Sequence, residues 1–307
     1  MKTFISTSLA IFFGLSLMAQ SSVNLKLNLE KGKVYKTKSC NHQTIQRGVN
    51  GQQMTMEVTS NSFMSFKQIS KENDVMLIEI KFDTIENKIN SPMFKKETNS
   101  AKPAKSNEYF ERLMNRFSAF TLTAKISTSG KFIGFENYKI FKANVMEIMD
   151  SVPATQKDQV QKQAESFLKE PILQSMVEPL FSYLPEKTVN NGDKWESSYV
   201  QSSPQANMLM SNTFTLNSIE NNKAKISGKS EIESMPSNEP AKEGDPQMST
   251  EAKGASTSDL TVDLSTGLIS KGSIKSHIDG TTTMKNQGNE MKMPFVIDLQ
   301  SEINKVE

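Results

Sequence analysis

The chain has one cysteine, one tryptophan and two histidines in 307 residues. A single cysteine excludes an intrachain disulfide, so stability has to come from packing. His42 and His277 alone leave little material for a histidine-based catalytic triad or metal site. There is no Gly-x-Ser-x-Gly elbow and no glycine-rich phosphate loop. Lys and Arg number 36 against 34 Asp and Glu, so the basic stripe of a nucleic-acid binder is missing. The one short cluster, Lys95-Lys96 with Lys102 and Lys105, lies among Asn99, Ser100 and Pro103 and reads as a solvated loop. Past the N-terminal segment no apolar run approaches the ~20 residues that a spanning helix needs.

That N-terminal segment reads as a secretory signal over residues 1–19. Met1-Lys2 is positive, Phe4 to Met18 is apolar, and Leu17-Met18-Ala19 puts a small residue before Gln20. A buried N-terminal helix competes less well, because the run starts directly after Met1-Lys2 and ends at a small-residue site. The sole cysteine, Cys40, lies far beyond it, so a lipid anchor on cysteine is not expected. Export implies a periplasmic, outer-membrane-associated or extracellular location, with no transmembrane segment in the mature chain.

The rest alternates between strand and helix patterns. Val23 to Leu29 alternates apolar and polar residues, the period of a half-buried strand. Val34 to Ile45 reads as a strand that is polar on both faces, and Asn50-Gly51 is a strong hairpin signal leading into Met54 to Val58. Ser62 to Ile69 and the more apolar Val75 to Phe82 follow as strands. Asn90 to Lys105 and Met235 to Gly254 lose all periodicity and read as loops. Tyr109, Phe110, Leu113, Met114 and Phe117 mark one face of a short helix, capped by Ser106 or Asn107. Between Asn137 and Leu184 three apolar stripes predict helices, the third opened by Pro171 in its first turn and bent or ended by Pro179. Strands resume at Trp195. Asp259 to Leu264 alternates cleanly, and Ile274 to Met284 and Phe295 to Val306 close the chain.

Three segments recur in order. Gly32-Lys33-Val34-Tyr35 matches Gly192-Asp193-Lys194-Trp195. Phe66 to Ile69 with Glu72-Asn73 matches Leu216 to Ile219 with Glu220-Asn221. Thr123 to Ile133 matches Thr261 to Ile269, preserving strand, turn glycine and returning apolar pair. The expected fold is therefore α+β, predominantly antiparallel: two duplicated β units (curved sheets or half-barrels), residues 20–136 and 185–307, bridged by a helical segment, residues 137–184. Tyr35 and Trp195 are the expected structural anchors of the two units.

The signal peptide, the Phe120 to Ile133 hairpin, the helical centre, and Leu184-Pro185 followed by Gly192-Asp193-Lys194-Trp195 together resemble a family of secreted Bacteroidota proteins of unknown function. The resemblance covers nearly the whole mature chain. It implies export and a strand-rich repeat, and it supplies no activity and no site residues.

Candidates for chemistry are few. Cys40 and His42 share one face of a strand, but a Cys–His nucleophile needs direct hydrogen-bond contact and an orienting partner. Glu239, Glu243 and Asp245 lack the alternating spacing of a calcium loop. Asp83-Thr84-Ile85 and Asp150-Ser151-Val152 resemble the three-residue O-glycan acceptor pattern of Bacteroidota exported proteins, which makes Thr84 and Ser151 candidate modification sites. No cofactor or metal is expected. Met54, Met56, Met64, Met76, Met208, Met210, Met291 and Met293 fall on or beside strands. Met either fills an irregular core or lines a surface that accepts several apolar partners, and core filling is the simpler reading. Curved sheets with a covering helix make concave, partly apolar pockets, and periplasmic lipoprotein carriers offer an architectural analogy. The expected function is thus a non-enzymatic exported binding module, for a lipid-like ligand or an envelope protein. A structural or surface-interaction role without a small ligand is the alternative, and a hydrolase is a distant third. A continuous Met- and Phe-lined cavity favours the first, and a buried cluster of Cys40, His42 and His277 the third.

N-terminal sequencing of the exported form should begin at Gln20, or be blocked by its cyclisation; intact Met1 on the exported protein contradicts the signal assignment.

Overall fold

A computed structural model describes residues 22–49, 52–105, 107–204, 206–236, 247–286 and 289–306. The signal segment, the Asn50-Gly51 turn and Glu239, Glu243 and Asp245 lie outside the described residues. In chain order the elements are β1 (Ser22–Val23), β2 (Val34–Val49), β3 (Gln52–Glu72), β4 (Val75–Asn90), β5 (Lys95–Asn99), α1 (Tyr109–Ala119), β6 (Leu122–Ser127) and β7 (Phe132–Phe135). Then come α2 (Tyr138–Met146), a 3-10 turn (Glu147–Ser151), α3 (Ala154–Phe167), α4 (Glu170–Val177) and a second 3-10 turn (Glu178–Leu180). The chain closes with β8 (Val189–Asn190), β9 (Lys194–Ser202), β10 (Asn207–Glu220), β11 (Lys223–Met235), β12 (Gln247–Asp263), β13 (Ile269–Asn286) and β14 (Asn289–Val306).

Apart from the small β1–β8 pair, the strands form a single twelve-stranded sheet in the order β7-β6-β4-β3-β2-β14-β13-β12-β11-β10-β9, with β5 beside β4. All its ladders are antiparallel. It is not closed into a barrel, since β7 and β9 end the path and do not pair with each other. This overturns the expectation of two α+β units bridged by helices. The last strand, β14, pairs along its Phe295–Val306 stretch with Lys36–Arg47 of β2, which fuses the two strand-rich segments into one sheet. The helices do not stand between units. They lie on that sheet, α1 on β4, α2 on β6 and α4 on β9.

Two loop assignments also change. Lys95–Asn99 pairs with Glu86–Asn90 as β5, inside the segment expected to be a loop. Likewise β12 begins at Gln247, well before Gly254. The runs read as Met54 to Val58 and Ser62 to Ile69 are parts of one continuous strand, β3.

One face of the sheet, hereafter the inner face, carries the hydrophobic core at one end of the strands. Met64 and Phe66 of β3, Ile78 and Ile80 of β4, Ala124 of β6, Leu216 of β10, Ile226 of β11 and Ile303 of β14 are buried there. The amphipathic face of α1 supplies Leu113, Met114 and Phe117. The Phe117 ring meets Phe82, Phe141 and Phe167 at centroid distances of 5.1, 5.3 and 5.4 Å. Asn137, just before α2, ties that helix to β6: its Oδ1 accepts from Thr123 N (2.8 Å) and its Nδ2 donates to the Thr121 carbonyl (2.9 Å).

Leu25, Leu27 and Leu29 are buried as the alternation predicts, but they form no ladder with the sheet. Instead the segment straps two hairpin turns together. Leu27 N donates to the Thr128 carbonyl (2.7 Å) and Asn28 N to the Thr266 carbonyl (2.9 Å). Both turns need glycine. Gly130 (φ +82°) and Gly267 (φ +73°) are left-handed, and a Cβ on either would stand 2.1 Å from the Phe181 carbonyl oxygen or 2.2 Å from that of Lys26.

The segment after α4 completes the seal. Tyr183 is fully buried and its hydroxyl donates to the Gly267 carbonyl (2.6 Å); burial pushes its phenol well above the ordinary range. Trp195 is 8% exposed, donates from Nε1 to the Tyr183 carbonyl (3.0 Å) and packs on Phe214 at 5.9 Å. Tyr35, buried at the start of β2, accepts from Glu30 N through its hydroxyl (3.0 Å).

Trp195→Ala should cost about 3–5 kcal/mol in urea unfolding, because it opens a cavity in a packed site. Trp195→Phe should cost less, about 1–3 kcal/mol, mainly by orphaning the Tyr183 carbonyl. Wild-type fluorescence should be blue-shifted and poorly quenched by iodide; red-shifted, freely quenched emission contradicts this packing.

Candidate ligand-binding face

The long strands β2, β3 and β10 to β14 cross from the helix-covered core to a far end, and their inner face changes chemistry on the way; at the flanks α1 reaches β5 and α4 reaches the Val200–Ser202 end of β9. Antiparallel pairing places directly opposed residues on the same face, so the registers can be read as rows across the sheet. Nearest the core, Ser62, Ser39, Ile303, Gly272, Leu260, Ile226 and Leu216 form one row from β3 to β10. Four residues further along each strand the row reads Val58, Gln43, Leu299, Ser276, Ser256, Ser230, Asn212 and Ser197, and is mostly polar. Its right-hand half is cross-linked: Ser256 Oγ donates to Ser230 Oγ (3.3 Å), Ser230 Oγ to Asn212 Oδ1 (2.6 Å), and Asn212 Nδ2 to the Ser197 carbonyl (3.3 Å).

The next row outward turns apolar again: Met56, Ile45, Ile297, Ile278, Gly254, Ile232, Met210 and Tyr199. Beyond it come Met54, Arg47, Phe295, Gly280, Ala252, Ser234 and Met208, and then Met291, Met284 and Met248. These side chains are separate from the hydrophobic core cluster. Ile232 (2% exposed) and Phe295 (7%) are buried by their sheet neighbours. A Cβ on Gly280 would meet Phe295 Cζ at 2.4 Å, so the ring lies across the glycine. The apolar row ends at Tyr199, whose phenol is pushed up to about 12, first by burial and then by the charge of Glu178. Burial also raises the Glu178 carboxyl, against a hydrogen bond from Gln174 Nε2 (2.8 Å). Met54, Met56, Met208, Met210 and Met291 thus belong to this face, whereas Met64 and Met76 are core. The signal that would have joined them, cross-strand register, is absent from a linear pattern.

The opposite face holds a cleft of about 1050 Å³ running from β3 to β11. It is lined by Gln46, Gln53, Glu233, Glu251, Lys253 and Lys292 over Gly280 and Pro294. Its charges are mixed and partly paired, Lys253 with Glu233 at 3.1 Å and Lys292 with Glu290 at 3.5 Å. It is not the Met-lined cavity that the sequence suggested: Phe295 and Ala252 contribute to its lining but no methionine does, and the Met and Ile side chains lie on an open sheet face instead.

Cys40 and His42 also face away from the core, half-buried and exposed respectively. They are opposed by Glu302 and Gln300 of β14, and His42 Nδ1 lies 3.3 Å from Thr59 Oγ1. His277 is on β13, with β14 between it and β2. It is held by Asp298 at Nδ1 (2.7 Å) and Asp279 at Nε2 (3.0 Å), both exposed. Those partners, Asp298 foremost, raise its imidazole above the ordinary range. The three residues therefore do not form a buried cluster. Among the described residues no group of three or more His, Cys, Asp or Glu is arranged to hold a metal ion. Ser151 ends the first 3-10 turn, exposed, accepting from Arg112 Nη2 (2.6 Å) and donating to the Ile148 carbonyl (2.7 Å). Thr84 is half-buried at a β4 bulge opposite Phe63. No helix is long and apolar enough to cross a membrane among the described residues.

Comparison with known proteins gives a family and little else. A search of curated proteins finds no match. Similar solved structures include lipovitellin, from work on its lipid–protein interactions, at TM-score 0.48 and 8% identity, covering 91% of this chain and 26% of that one. The chain thus spans about a quarter of lipovitellin's length. An outer membrane channel of Pseudomonas putida F1 has TM-score 0.27 and 6% identity, over 91% and 97% of the two chains. The outer membrane protein OprG of Pseudomonas aeruginosa has TM-score 0.24 and 5% identity, over 91% and 100%. Likeness at this level carries no argument about function. The family match runs from the β3–β4 turn through the helices to the start of β13, residues 73–269, and by it the chain belongs to the Family of unknown function (DUF6263).

Proposed function

We propose that this is an exported, non-enzymatic binding protein of the cell envelope that holds an acyl-chain ligand on the inner face of its sheet. The observation that carries the reading is the apolar row from Met56 to Tyr199, together with the Met- and Phe-containing positions beyond it; α4 meets this face at its β9 edge, beside Tyr199 and Val200. Adjacent strands lie ~4.8 Å apart, so a row across eight strands is roughly 30 Å wide and accommodates an extended long acyl chain. Covering such a face gains about 25 cal/mol per Å² of apolar surface. Methionine suits it, because an unbranched thioether adapts to a chain of no fixed shape.

The polar row beside it supports an amphiphile over a plain hydrocarbon. Gln43, Ser276, Ser256, Ser230, Asn212 and Ser197 run parallel to the apolar row, one residue pair along. A chain on the apolar row places a polar head within reach of hydroxyl and amide groups. The signal peptide read from residues 1–19 supplies the export. Cys40, His42 and His277, set apart on the other face, supply no support for the hydrolase alternative.

Ile297→Glu sets a carboxylate in the centre of the row and should weaken binding of a fluorescent long-chain fatty acid by about tenfold or more, with far-UV circular dichroism unchanged. Native mass spectrometry of protein purified from its own host should show a bound lipid mass. A wild-type protein that neither carries lipid nor binds the probe at micromolar concentration would rule the reading out.

A further inference from the structure

Eight large hydrophobic side chains are exposed among the described residues, and five of them lie at strand ends beyond the core: Met93 and Phe94 on the β4–β5 hairpin, just past the stretch of β5 that α1 contacts, and Met235, Met248 and Met291 on β11, β12 and β14. Met93 (76% exposed) and Phe94 (52%) form the tip of the β4–β5 hairpin. Their exposure is built into a closed turn: Ser91 N and Oγ both bond the Phe94 carbonyl (3.0 Å each), and Phe94 N donates to Ser91 Oγ (3.1 Å). Pro92 stiffens it further. A turn held this way projects its side chains outward and does not fold them back on the sheet.

Basic residues flank these tips. Lys95 and Lys96 follow Phe94 directly, and Arg47, Lys285 and Lys292 lie near the ends of β2, β13 and β14. Among the nearby charges Glu97 pairs with Lys88 (2.7 Å), Glu111 of α1 with Lys96 (3.5 Å), and the single carboxylate of Glu290 with both Lys285 and Lys292 (3.4 and 3.5 Å), so the lysines outnumber the acids they meet. Glu233 and Glu251 lie further along, on β11 and β12, and line the cleft on the opposite face together with Lys253 and Lys292.

We propose that this end of the sheet, from the Met93-Phe94 tip to Met291, docks on an anionic phospholipid surface, the apolar tips entering the acyl boundary and the lysines meeting the headgroups. The spacing argues for a bilayer over a protein. A specific protein contact needs about 800 Å² of contiguous, complementary surface from each partner. Here the apolar groups are single side chains on separate strand ends at different heights, which a fluid interface accommodates one by one. Lysine flanks gain from negative surface potential and lose it with salt. The docked end is also where the apolar rows of the inner face open, but docking does not depend on what those rows bind.

The test is flotation of the purified protein with vesicles of phosphatidylethanolamine and phosphatidylglycerol, against vesicles of phosphatidylcholine alone. Wild type should float with the anionic vesicles, less at high salt, and weakly with phosphatidylcholine. The M93S/F94S double substitution should lower the partition coefficient by about tenfold or more. Ile140→Ser, at a 65% exposed residue on α2, should leave it unchanged. The sites are exposed, so folding is not at stake. Absence of flotation, or equal loss in both variants, overturns the proposal; so does a wild-type dimer in sedimentation that M93S/F94S dissolves, since that assigns the tip to a second copy. The two readings fail separately: M93S/F94S should still bind the fatty-acid probe, and Ile297→Glu should still float.

Discussion

The pairing of β2 with β14 is the constraint on which the rest of the architecture depends. It joins residues from opposite ends of the described chain, Lys36 to Val306 and Arg47 to Phe295. Without it, β2 and β14 would each present a long unpaired edge, and such edges template aggregation. With it, the two strand-rich segments share one inner face, and a single core can form beneath helices that come from the middle of the chain. The N-terminal strap depends on the same closure. Leu27 and Asn28 reach the Thr128 and Thr266 carbonyls, in turns belonging to opposite halves of the sheet, and these stand together only because the sheet is continuous.

The inner face then divides along the strands. Close to the turns at Gly130 and Gly267 it is aliphatic and sealed by α1, α4, Tyr183 and Trp195. The polar row from Gln43 to Ser197 marks where cover stops. A helix laid across it would bury hydroxyls and amides at about 1–3 kcal/mol for each left unpaired. In the Ser256–Ser230–Asn212–Ser197 chain those groups are already bonded to one another, so they stabilise the sheet without inviting a covering element. Past that row the apolar character returns, and α4 reaches it at the β9 edge, by Val200 and Ser202.

Strands whose core face is aliphatic were legible in the sequence. Val75 to Phe82 and Asp259 to Leu264 alternate because one face meets the core, and both are strands. The helix from Tyr109 and the Pro171 start of α4 were also legible, since their stripes face the same core. The long polar strands were not. β3 broke into two readings because Ser60 and Ser62 stand on its inner face and Thr59 and Asn61 on the other, so hydropathy carries no period there. The start of β12 disappeared into a loop because its inner face is only weakly apolar, with Thr250 and Gly254 among Met248 and Ala252, against Ser249, Glu251 and Lys253 on the other. The repeated turn segments suggested two units because a local motif does not report which strand lies beside which; the β2–β14 ladder is non-local. The candidate face suffered equally. Each methionine was visible on its own strand, and only register puts Met56 and Met210 in one row.

An open sheet with an uncovered apolar face has two hazards, and the fold restrains one of them. Its terminal strands are blunted. β7 is only Phe132–Phe135, and α4 lies against β9, where Ser175 Oγ donates to the Val200 carbonyl (3.2 Å) and accepts from Ser202 N (2.6 Å), occupying edge groups that another strand would seek. The apolar face has no comparable cover among the described residues. Soluble monomers rarely leave contiguous apolar patches much beyond a few hundred Å² without an interaction to match. Substituting serine for Ile45, Ile278 or Ile297 would remove that exposure without touching the core, and Ser276, beside Ile278 in the adjacent row, shows that the sheet accepts serine on this face. A chain that protects its edges and uses serine one row away, yet keeps isoleucine and methionine across this row, shows the pattern that the proposed ligand would explain.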